Sequence, residues 1–160
     1  IIVPGAVYIY KRSGSSWTQE SYIKAGNAGS SDAFGFGLSL YGDTLAVGAY
    51  TEDSNQTTIT NGTTSSNDNS KSDSGAVYVY KRTGTNWEQE AYIKASNAEA
   101  NDYFSGGSGT EEHVGIAFSE NTIVAGAMSE KSNQTTITNG EGSSNNNDLT
   151  NAGAVYIYSR

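Results

Sequence analysis

Short segments in which apolar and polar residues alternate recur along the chain, and this alternation predicts β-strands. The clearest segment covers residues 75–82 and reads GAVYVYKR. Val77 and Val79 fall on one face of the predicted strand, and Tyr78 and Tyr80 fall on the other. No stretch places apolar residues at the period of about 3.6 that an amphipathic helix needs. We therefore predict an all-β chain.

Four such segments follow one another and predict an antiparallel unit. They cover residues 34–42, 44–50, 75–82 and 87–95. Gly42–Asp43 joins the first two and favours a tight hairpin. A polar stretch, 51–74, separates the second segment from the third. It contains SNQTTITNG, in which TTIT favours a strand and Asn–Gly favours a turn, so we predict a small extra hairpin there.

The unit is repeated, with different spacings between its copies. Gly75 follows Gly5 by 70 residues, and Gly153 follows Gly75 by 78. The second copy carries 8 extra residues between Phe104 and Val114, within a polar insertion. A four-stranded antiparallel unit that repeats in this way is typical of β-propeller blades, which need neighbours because one sheet cannot bury both of its faces.

This repeat divides the chain into three parts. Residues 1–33 form an outer half-blade, made of third and fourth strands. Residues 34–95 form a complete blade with the long polar loop 51–74. Residues 96–160 form a second blade that lacks its outermost strand and carries the insertion around 105–113. About two repeats cannot close a ring, because a propeller needs at least about four blades.

Three motifs resemble FG-GAP repeats in their order along the chain. Phe34–Gly35 opens the first strand, Val47–Gly48–Ala49 ends the second, and GAVYVY forms the third. FG-GAP repeats build the propeller of integrin α-subunits and occur in bacterial and archaeal surface proteins. This chain departs from the pattern at Tyr50 and Met128, where the family has proline, and at Ser105, where it has glycine. The resemblance implies a propeller module at the cell surface or outside the cell.

The charge of the chain narrows the choice of partners. The 160 residues carry a net charge of −8 and contain no cysteine. Without a basic surface the chain is not expected to bind nucleic acid or an anionic membrane. No apolar run approaches the roughly 20 residues of a membrane helix, so we expect no membrane insertion. The chain starts in strand-like residues, which we interpret as a mature or trimmed piece.

Catalytic residues are not apparent in the sequence. The single histidine, His113, lies in the insertion and has no counterpart in the other copy. No nucleophile elbow or zinc-protease motif is present. We therefore predict a protein that is not an enzyme.

The FG-GAP resemblance also implies a calcium loop after the second strand. The aligned stretch, 51–56, lacks the family's regular spacing of acidic residues. Oxygen ligands for Ca²⁺ are nevertheless available, and the candidates are Glu52, Asp53, Asn55 and Asp73. In the second copy Lys131 replaces Asp53 and Asn151 replaces Asp73. The alternative is a solvated acidic loop whose side chains cap turns.

Other polar residues have simpler interpretations. Asp32 and Asp102 precede the Phe of each copy by two residues, and we expect both to order a turn by accepting backbone N–H bonds. Asn55, Asn61 and Asn133 match the acceptor pattern for N-glycosylation, which matters only in a secreted protein.

Aromatic residues recur at matching positions of the copies, and they either pack in the core or contact a ligand at the surface. Trp17 and Trp87 hold the same position in their copies, and burial between sheets is the first interpretation. On the fourth strand Tyr92 shares a polar face with Lys94, so Tyr22 and Tyr92 are our candidates for contacting a ligand such as a sugar.

The sequence leaves three functions open. The first is a non-enzymatic extracellular module for surface adhesion or structural assembly, with a protein or glycan ligand on a surface. The second is a carbohydrate-binding, lectin-like propeller. The third is a self-assembling filament or ring subunit, because the strand at 154–158 presents an edge that can pair with another chain. Self-association, or membership of a longer chain, is expected in each case.

Overall fold

A computed structural model describes residues 5–107 and 114–160, which form ten β-strands and no helix. The strands are β1 (Val7–Ser13), β2 (Ser16–Ile23), β3 (Gly37–Tyr41), β4 (Thr44–Ala49), β5 (Ile59–Asn61), β6 (Ala76–Thr83), β7 (Asn86–Ile93), β8 (Ile116–Ser119), β9 (Thr122–Ala127) and β10 (Ala154–Ser159). The all-β prediction is confirmed. None of the described residues forms a helix long and apolar enough to cross a membrane.

The strands form three antiparallel sheets. The central sheet has the order β3-β4-β6-β7-β5, and its first four strands follow one another as the sequence predicts. A two-stranded sheet, β1-β2, precedes it, and a three-stranded sheet, β10-β9-β8, follows it. The sheets therefore contain two, five and three strands. Of the insertion predicted around 105–113, residues 108–113, and with them His113, lie outside the described residues.

Tight turns connect the paired strands. β1 and β2 are joined through Gly14, and β6 and β7 through Gly84, both with positive φ. A hairpin with two connecting residues needs this backbone conformation, which glycine adopts without steric cost. The same sequence feature therefore produces the same hairpin in both copies.

The extra hairpin predicted in the polar loop is wrong for both copies. In the first copy a single short strand, β5, pairs with the outer edge of β7. In the second copy the same nine residues form no strand. β5 depends on the edge of a fourth strand, and the three-stranded sheet has none. Ile59 on β5 is 43% exposed, whereas its counterpart Ile137 is 90% exposed.

The sheets pack face to face and form two apolar cores. The tyrosine face of the central sheet, defined by Tyr78, Tyr80 and Tyr92, packs on Val7 and Ile23 of the two-stranded sheet. The opposite side of the central sheet is its valine face, and it packs on the three-stranded sheet. The valine face consists of Val77, Val79 and Ile93. The predicted separation of valines and tyrosines onto opposite faces of β6 is confirmed.

A phenylalanine and a glycine fit together at each junction between sheets. The ring of Phe104 meets the ring of Tyr156 edge-on at 5.4 Å, as Phe34 meets Tyr78 at 5.3 Å. The backbone of Gly75 runs so close to Phe104 that a Cβ on Gly75 would lie 2.2 Å from the Phe104 carbonyl oxygen. The glycines before β1 and β6, Gly5 and Gly75, are therefore required by a close approach of two backbones, whereas a Cβ on Gly153, before β10, would meet nothing nearer than 3.3 Å.

The prediction that Tyr92 and Lys94 lie on an exposed polar face of the fourth strand is wrong. Tyr92 and Lys94 are fully buried, whereas Glu88 is exposed. A register shift between Val79 and Tyr80 also places Glu88 opposite Lys81, on the other face of the sheet from Tyr92. Residues near the carboxyl end of β7 are covered because the polar loop folds back over them and the two-stranded sheet packs alongside. Alternation along one strand cannot reveal a cover that comes from elsewhere in the chain.

Candidate functional site: a buried polar cluster beneath the long loop

A buried ion pair lies beneath the loop that follows β4. The Lys94 Nζ donates hydrogen bonds to Glu52 Oε2 at 2.8 Å and to Ser74 Oγ at 2.7 Å. Glu52 begins the long loop, Ser74 ends it, and Lys94 follows β7. The ion pair thus ties both ends of the loop to the end of the outer strand.

A second set of contacts joins this ion pair to the preceding sheet. The Asn27 Nδ2, on the connection after β2, donates to Glu52 Oε1 at 3.0 Å. The Tyr78 hydroxyl donates to Asn27 Oδ1 at 2.7 Å. The Ser54 backbone N–H donates to Glu52 Oε2 at 3.1 Å. Both carboxylate oxygens of Glu52 are therefore satisfied by protein groups, as a buried charge requires.

The electrostatics of the cluster follow from its burial. Burial lowers the pKa of Lys94, and the adjacent carboxylate of Glu52 opposes that change. Burial also raises the pKa of Tyr78, and the negative charge of Glu52 adds to the increase. The cluster holds opposite charges in contact in a dry environment, which suits structural cross-linking.

The second copy repeats this arrangement in part. The Asn97 Nδ2 donates to Glu130 Oε1 at 2.9 Å, and the Tyr156 hydroxyl donates to Asn97 Oδ1. The Ser132 hydroxyl donates to Glu130 Oε2 at 2.9 Å. Within residues 5–107 and 114–160 no cationic side chain forms an ion pair with Glu130. The counterpart of Lys94 would lie on a fourth strand, which the three-stranded sheet lacks.

The residues predicted to hold calcium are not brought together as one set. Glu52 points into the ion pair with Lys94. Asp53 Oδ1 accepts a hydrogen bond from the Asp73 backbone N–H at 2.8 Å, and the Asn55 N–H donates to a neighbouring loop carboxylate. In the described part of the chain, no group of three or more His, Cys, Asp or Glu side chains is arranged to hold a metal ion. Asp53 and Asp73 do lie close enough for charge repulsion, which adds to burial in raising the pKa of Asp73.

The two aspartates before the phenylalanines order turns as predicted. Asp32 Oδ2 accepts the Gly29 N–H at 2.7 Å. Asp102 Oδ2 accepts the Glu99 N–H at 2.8 Å. The turn-capping role is confirmed in both copies.

The two candidate ligand tyrosines lie in different environments. Tyr22 is exposed on β2, and its ring centroid is 5.0 Å from that of Tyr8. Tyr92 is fully buried, so a surface ligand cannot reach its ring in this structure. Contact with a ligand stays a prediction for Tyr22. Asn55, Asn61 and Asn133 are all exposed, and their glycosylation stays a prediction.

Sequence reasoning missed the central role of Asn27 and Lys94. A signal was available, because Asn27 recurs as Asn97 and Glu52 recurs as Glu130 at the spacings of the repeat. Polar residues that recur while their neighbours change are candidates for a shared hydrogen-bond network.

Comparison with known families agrees with the repeated motifs. Residues 17–80 match the family model described as the FG-GAP repeat. This match covers β2 to β6 and includes Asn27, Glu52 and Tyr78 of the buried cluster. No curated protein and no solved structure matches the chain.

Proposed function

We propose that this chain is a non-enzymatic, propeller-type module that works by stacking its sheets against further sheets of the same kind. The match of residues 17–80 to the FG-GAP repeat supports a propeller-type module. FG-GAP repeats are often found in adhesion proteins, and on that basis we place the module at the cell surface or outside the cell. Its role is structural assembly that supports adhesion.

The observation that carries this proposal is a packing mode that occurs twice. The tyrosine face of the central sheet covers Val7, Ile9 and Ile23 of the two-stranded sheet. The valine face of the central sheet is covered in the same way by Tyr156 and Tyr158. Each sheet thus offers two different faces, and each face recognises the opposite type on its neighbour.

The outermost faces of the molecule are the two halves of this same interface. The two-stranded sheet exposes its tyrosine face through Tyr8, Tyr10 and Tyr22. The three-stranded sheet exposes its valine face through Val155 and Ile157. A second copy of the chain can therefore cover one exposed face with the other. Because the two surfaces differ, the contact is heterologous and continues from copy to copy.

The test uses one substitution on each face, Tyr10→Glu and Ile157→Glu. A buried carboxylate without a partner should abolish the contact on the altered face. Size-exclusion chromatography with light scattering should show association of the wild-type chain that increases with concentration. Each variant alone should be monomeric. An equimolar mixture of the two variants should form dimers and nothing larger, because each variant keeps one intact face.

Ile137→Glu is the matched control, since this side chain is exposed on the loop after β9 and belongs to neither face. It should associate as the wild type does. A wild-type chain that stays monomeric up to about 100 μM, or a mixture of variants that forms no dimer, would refute the stacking proposal.

A carbohydrate-binding module is the second candidate. The exposed rings of Trp17, Tyr8 and Tyr22 lie on one hairpin and could stack on sugar rings. Sheet stacking is preferred because the equivalents of the two tyrosines, Tyr78 and Tyr92, are buried against another sheet. Binding of wild-type protein on a glycan array, with loss of binding in Trp17→Ala, would favour the sugar-binding candidate.

A further inference from the structure

Three side chains of the buried cluster bring an amine and a carboxamide onto one carboxylate. The Lys94 Nζ donates to Glu52 Oε2 at 2.8 Å, and the Asn27 Nδ2 donates to Glu52 Oε1 at 3.0 Å. The shared carboxylate therefore restrains the two groups near each other. An amine and a carboxamide can condense to a new amide and ammonia when they are held together and a neighbouring group moves the protons.

The Asn27 carboxamide is held at both of its polar atoms. Its Oδ1 accepts the Tyr78 hydroxyl at 2.7 Å, and its Nδ2 also donates to the Ser66 carbonyl oxygen at 2.6 Å. A hydroxyl donor at the carboxamide oxygen stabilises the negative charge that develops there when a nucleophile attacks the carbon. The Nδ2 is the leaving group of such an attack, and it lies against Glu52 Oε1, from which it can take a proton.

The Lys94 amine lies in a dry site that favours its neutral form. The side chains of Lys94 and Glu52 are 0% and 1% exposed. Burial lowers the pKa of Lys94, although the adjacent Glu52 carboxylate opposes that change. Transfer of one proton from Nζ to Glu52 Oε2 converts the ion pair into a neutral amine and a neutral carboxylic acid. Only the neutral amine has the free electron pair that a nucleophile needs.

We propose that Lys94 and Asn27 join through an isopeptide bond in the folded chain, with Glu52 transferring the protons. Glu52 first takes a proton from the Lys94 ammonium group. The neutral Nζ attacks the Asn27 Cγ and forms a tetrahedral intermediate whose oxygen lies against the Tyr78 hydroxyl. Glu52 gives its proton to Nδ2, the Cγ–Nδ2 bond breaks, and ammonia leaves with the bonding electron pair. Glu52 then takes the surplus proton from Nζ and remains a neutral carboxylic acid.

The reaction replaces two charges in a dry site by neutral groups. A buried ion pair carries a desolvation cost that its attraction must offset, whereas an amide and a carboxylic acid carry no net charge. The ammonia escapes to solvent, so the reaction runs towards the bond. All atoms of the product come from the two side chains, and no oxidant or cofactor takes part.

The repeat separates the parts of this arrangement. Asn97, Glu130 and Tyr156 form the same hydrogen bonds in the second copy, which has no counterpart of Lys94 among the described residues. Lys24 is the counterpart of Lys94 in the two-stranded sheet, 70 residues before it. The complete set of amine, carboxamide and carboxylate occurs at Lys94, so we expect one bond per chain.

The bond locks the junction between the two-stranded and central sheets. Asn27 lies on the connection after β2, and Lys94 directly follows β7. Lys94 follows Asn27 by 67 residues in the sequence. A cross-link across a segment of this length restricts the unfolded chain as a disulfide does. The chain contains no cysteine, and the isopeptide bond gives it a covalent brace of another kind.

Intact-mass spectrometry tests the bond after prolonged incubation of the folded protein at neutral pH. The wild type should have the mass of its sequence less one ammonia. Trypsin should then fail to cleave after Lys94 and should release a branched peptide that joins residues 25–71 to residues 83–131. A succinimide at an asparagine also loses ammonia, but it leaves the cleavage after Lys94 intact.

Three variants separate the roles in the reaction. Lys94→Arg keeps a positive charge beside Glu52 but has no nucleophilic amine. It should show the full mass and a Tm about 10 °C below that of the wild type, as expected for loss of a cross-link of this loop length. Glu52→Gln cannot transfer protons, and its mass should change at least about 100 times more slowly. Lys24→Arg is the matched control and should lose ammonia as the wild type does.

The bond forms within one chain and does not depend on stacking between copies. The Tyr10→Glu variant, designed to be monomeric, should therefore lose ammonia as well. A wild type that keeps its full mass, or a digest that yields only the ordinary peptide 83–94, would overturn the proposal. Loss of ammonia that persists in Lys94→Arg would do the same, and an unchanged rate in Glu52→Gln would contradict the role of Glu52.

Discussion

Removing the buried lysine should be among the most damaging single changes to the described part of the chain. Lys94→Met keeps most of the side-chain volume but removes the ammonium group. In the folded protein the side chains of Lys94 and Glu52 are 0% and 1% exposed. The substitution therefore leaves the Glu52 carboxylate buried with only Asn27 and Ser54 as hydrogen-bond donors.

The expected loss follows from that burial. Breaking a buried ion pair by removing one partner costs about 3–5 kcal/mol, because the remaining charge is uncompensated. For a chain of this length each kcal/mol corresponds to about 2–4 °C in Tm, so the loss should be about 6–20 °C. The native state of a typical domain is stable by only about 5–15 kcal/mol, so this loss is a large fraction of the total.

The assay is urea unfolding followed by tryptophan fluorescence and circular dichroism, with a double variant. In Glu52→Gln/Lys94→Met neither charge remains, and we expect a coupling energy of about 2 kcal/mol in favour of the double variant. Glu99→Gln is the control, because it breaks a partly exposed pair with Lys71 at 3.5 Å and should cost less than about 1 kcal/mol.

Two outcomes would refute this reasoning. A loss below about 1 kcal/mol in Lys94→Met would mean that the pair contributes no more than a surface salt bridge. Strictly additive losses in the double variant would mean that the two side chains are not coupled, despite the 2.8 Å contact between them.

Two further predictions concern glycine and tyrosine. In chemical unfolding, Gly75→Ala should destabilise the fold by more than about 2 kcal/mol, because the new Cβ meets the Phe104 backbone at a residue with positive φ. Gly84→Ala is the control, because a Cβ there has nothing within 4 Å. It should cost only about 1 kcal/mol for its positive φ. Burial raises the pKa of five tyrosines, so folding should stay favourable below about pH 10 and weaken as the pH rises further, since only the unfolded chain ionises them readily. A single-phase tyrosinate absorbance titration near pH 10, with the fold intact, would contradict this prediction for Tyr78, Tyr80, Tyr92, Tyr156 and Tyr158.

Much of the fold could be predicted because it depends on local pattern and repetition. Alternation identified β6, and self-comparison carried the same prediction to β1 and β10. The order of the four main strands follows their order in the chain, with short turns joining β3 to β4 and β6 to β7 and the long loop joining β4 to β6. β5 could not be predicted correctly, because its pairing with β7 is set by the path of a polar loop and not by its own three residues.

The buried cluster was harder to predict than the fold. Lys94 occurs in an alternating strand next to glutamates, where solvent exposure is the usual expectation. Its burial depends on the long loop, because Glu52 and Ser74 near the ends of that loop accept hydrogen bonds from the ammonium group and so offset the cost of burying its charge. Only a long-range contact converts a surface lysine into a buried one, and no periodicity in a single segment records such a contact.

The repeat provides an internal control that a single copy would not. Residues that recur with the same contacts, such as Asn27 with Asn97 and Phe34 with Phe104, report what the architecture needs. A position that changes charge while its surroundings stay the same demands a different explanation. In the first copy this position is Asp53, whose Oδ1 accepts the Asp73 backbone N–H at 2.8 Å. The acidic residue therefore fastens the end of its own loop, whereas its counterpart Lys131 forms an ion pair with Asp102.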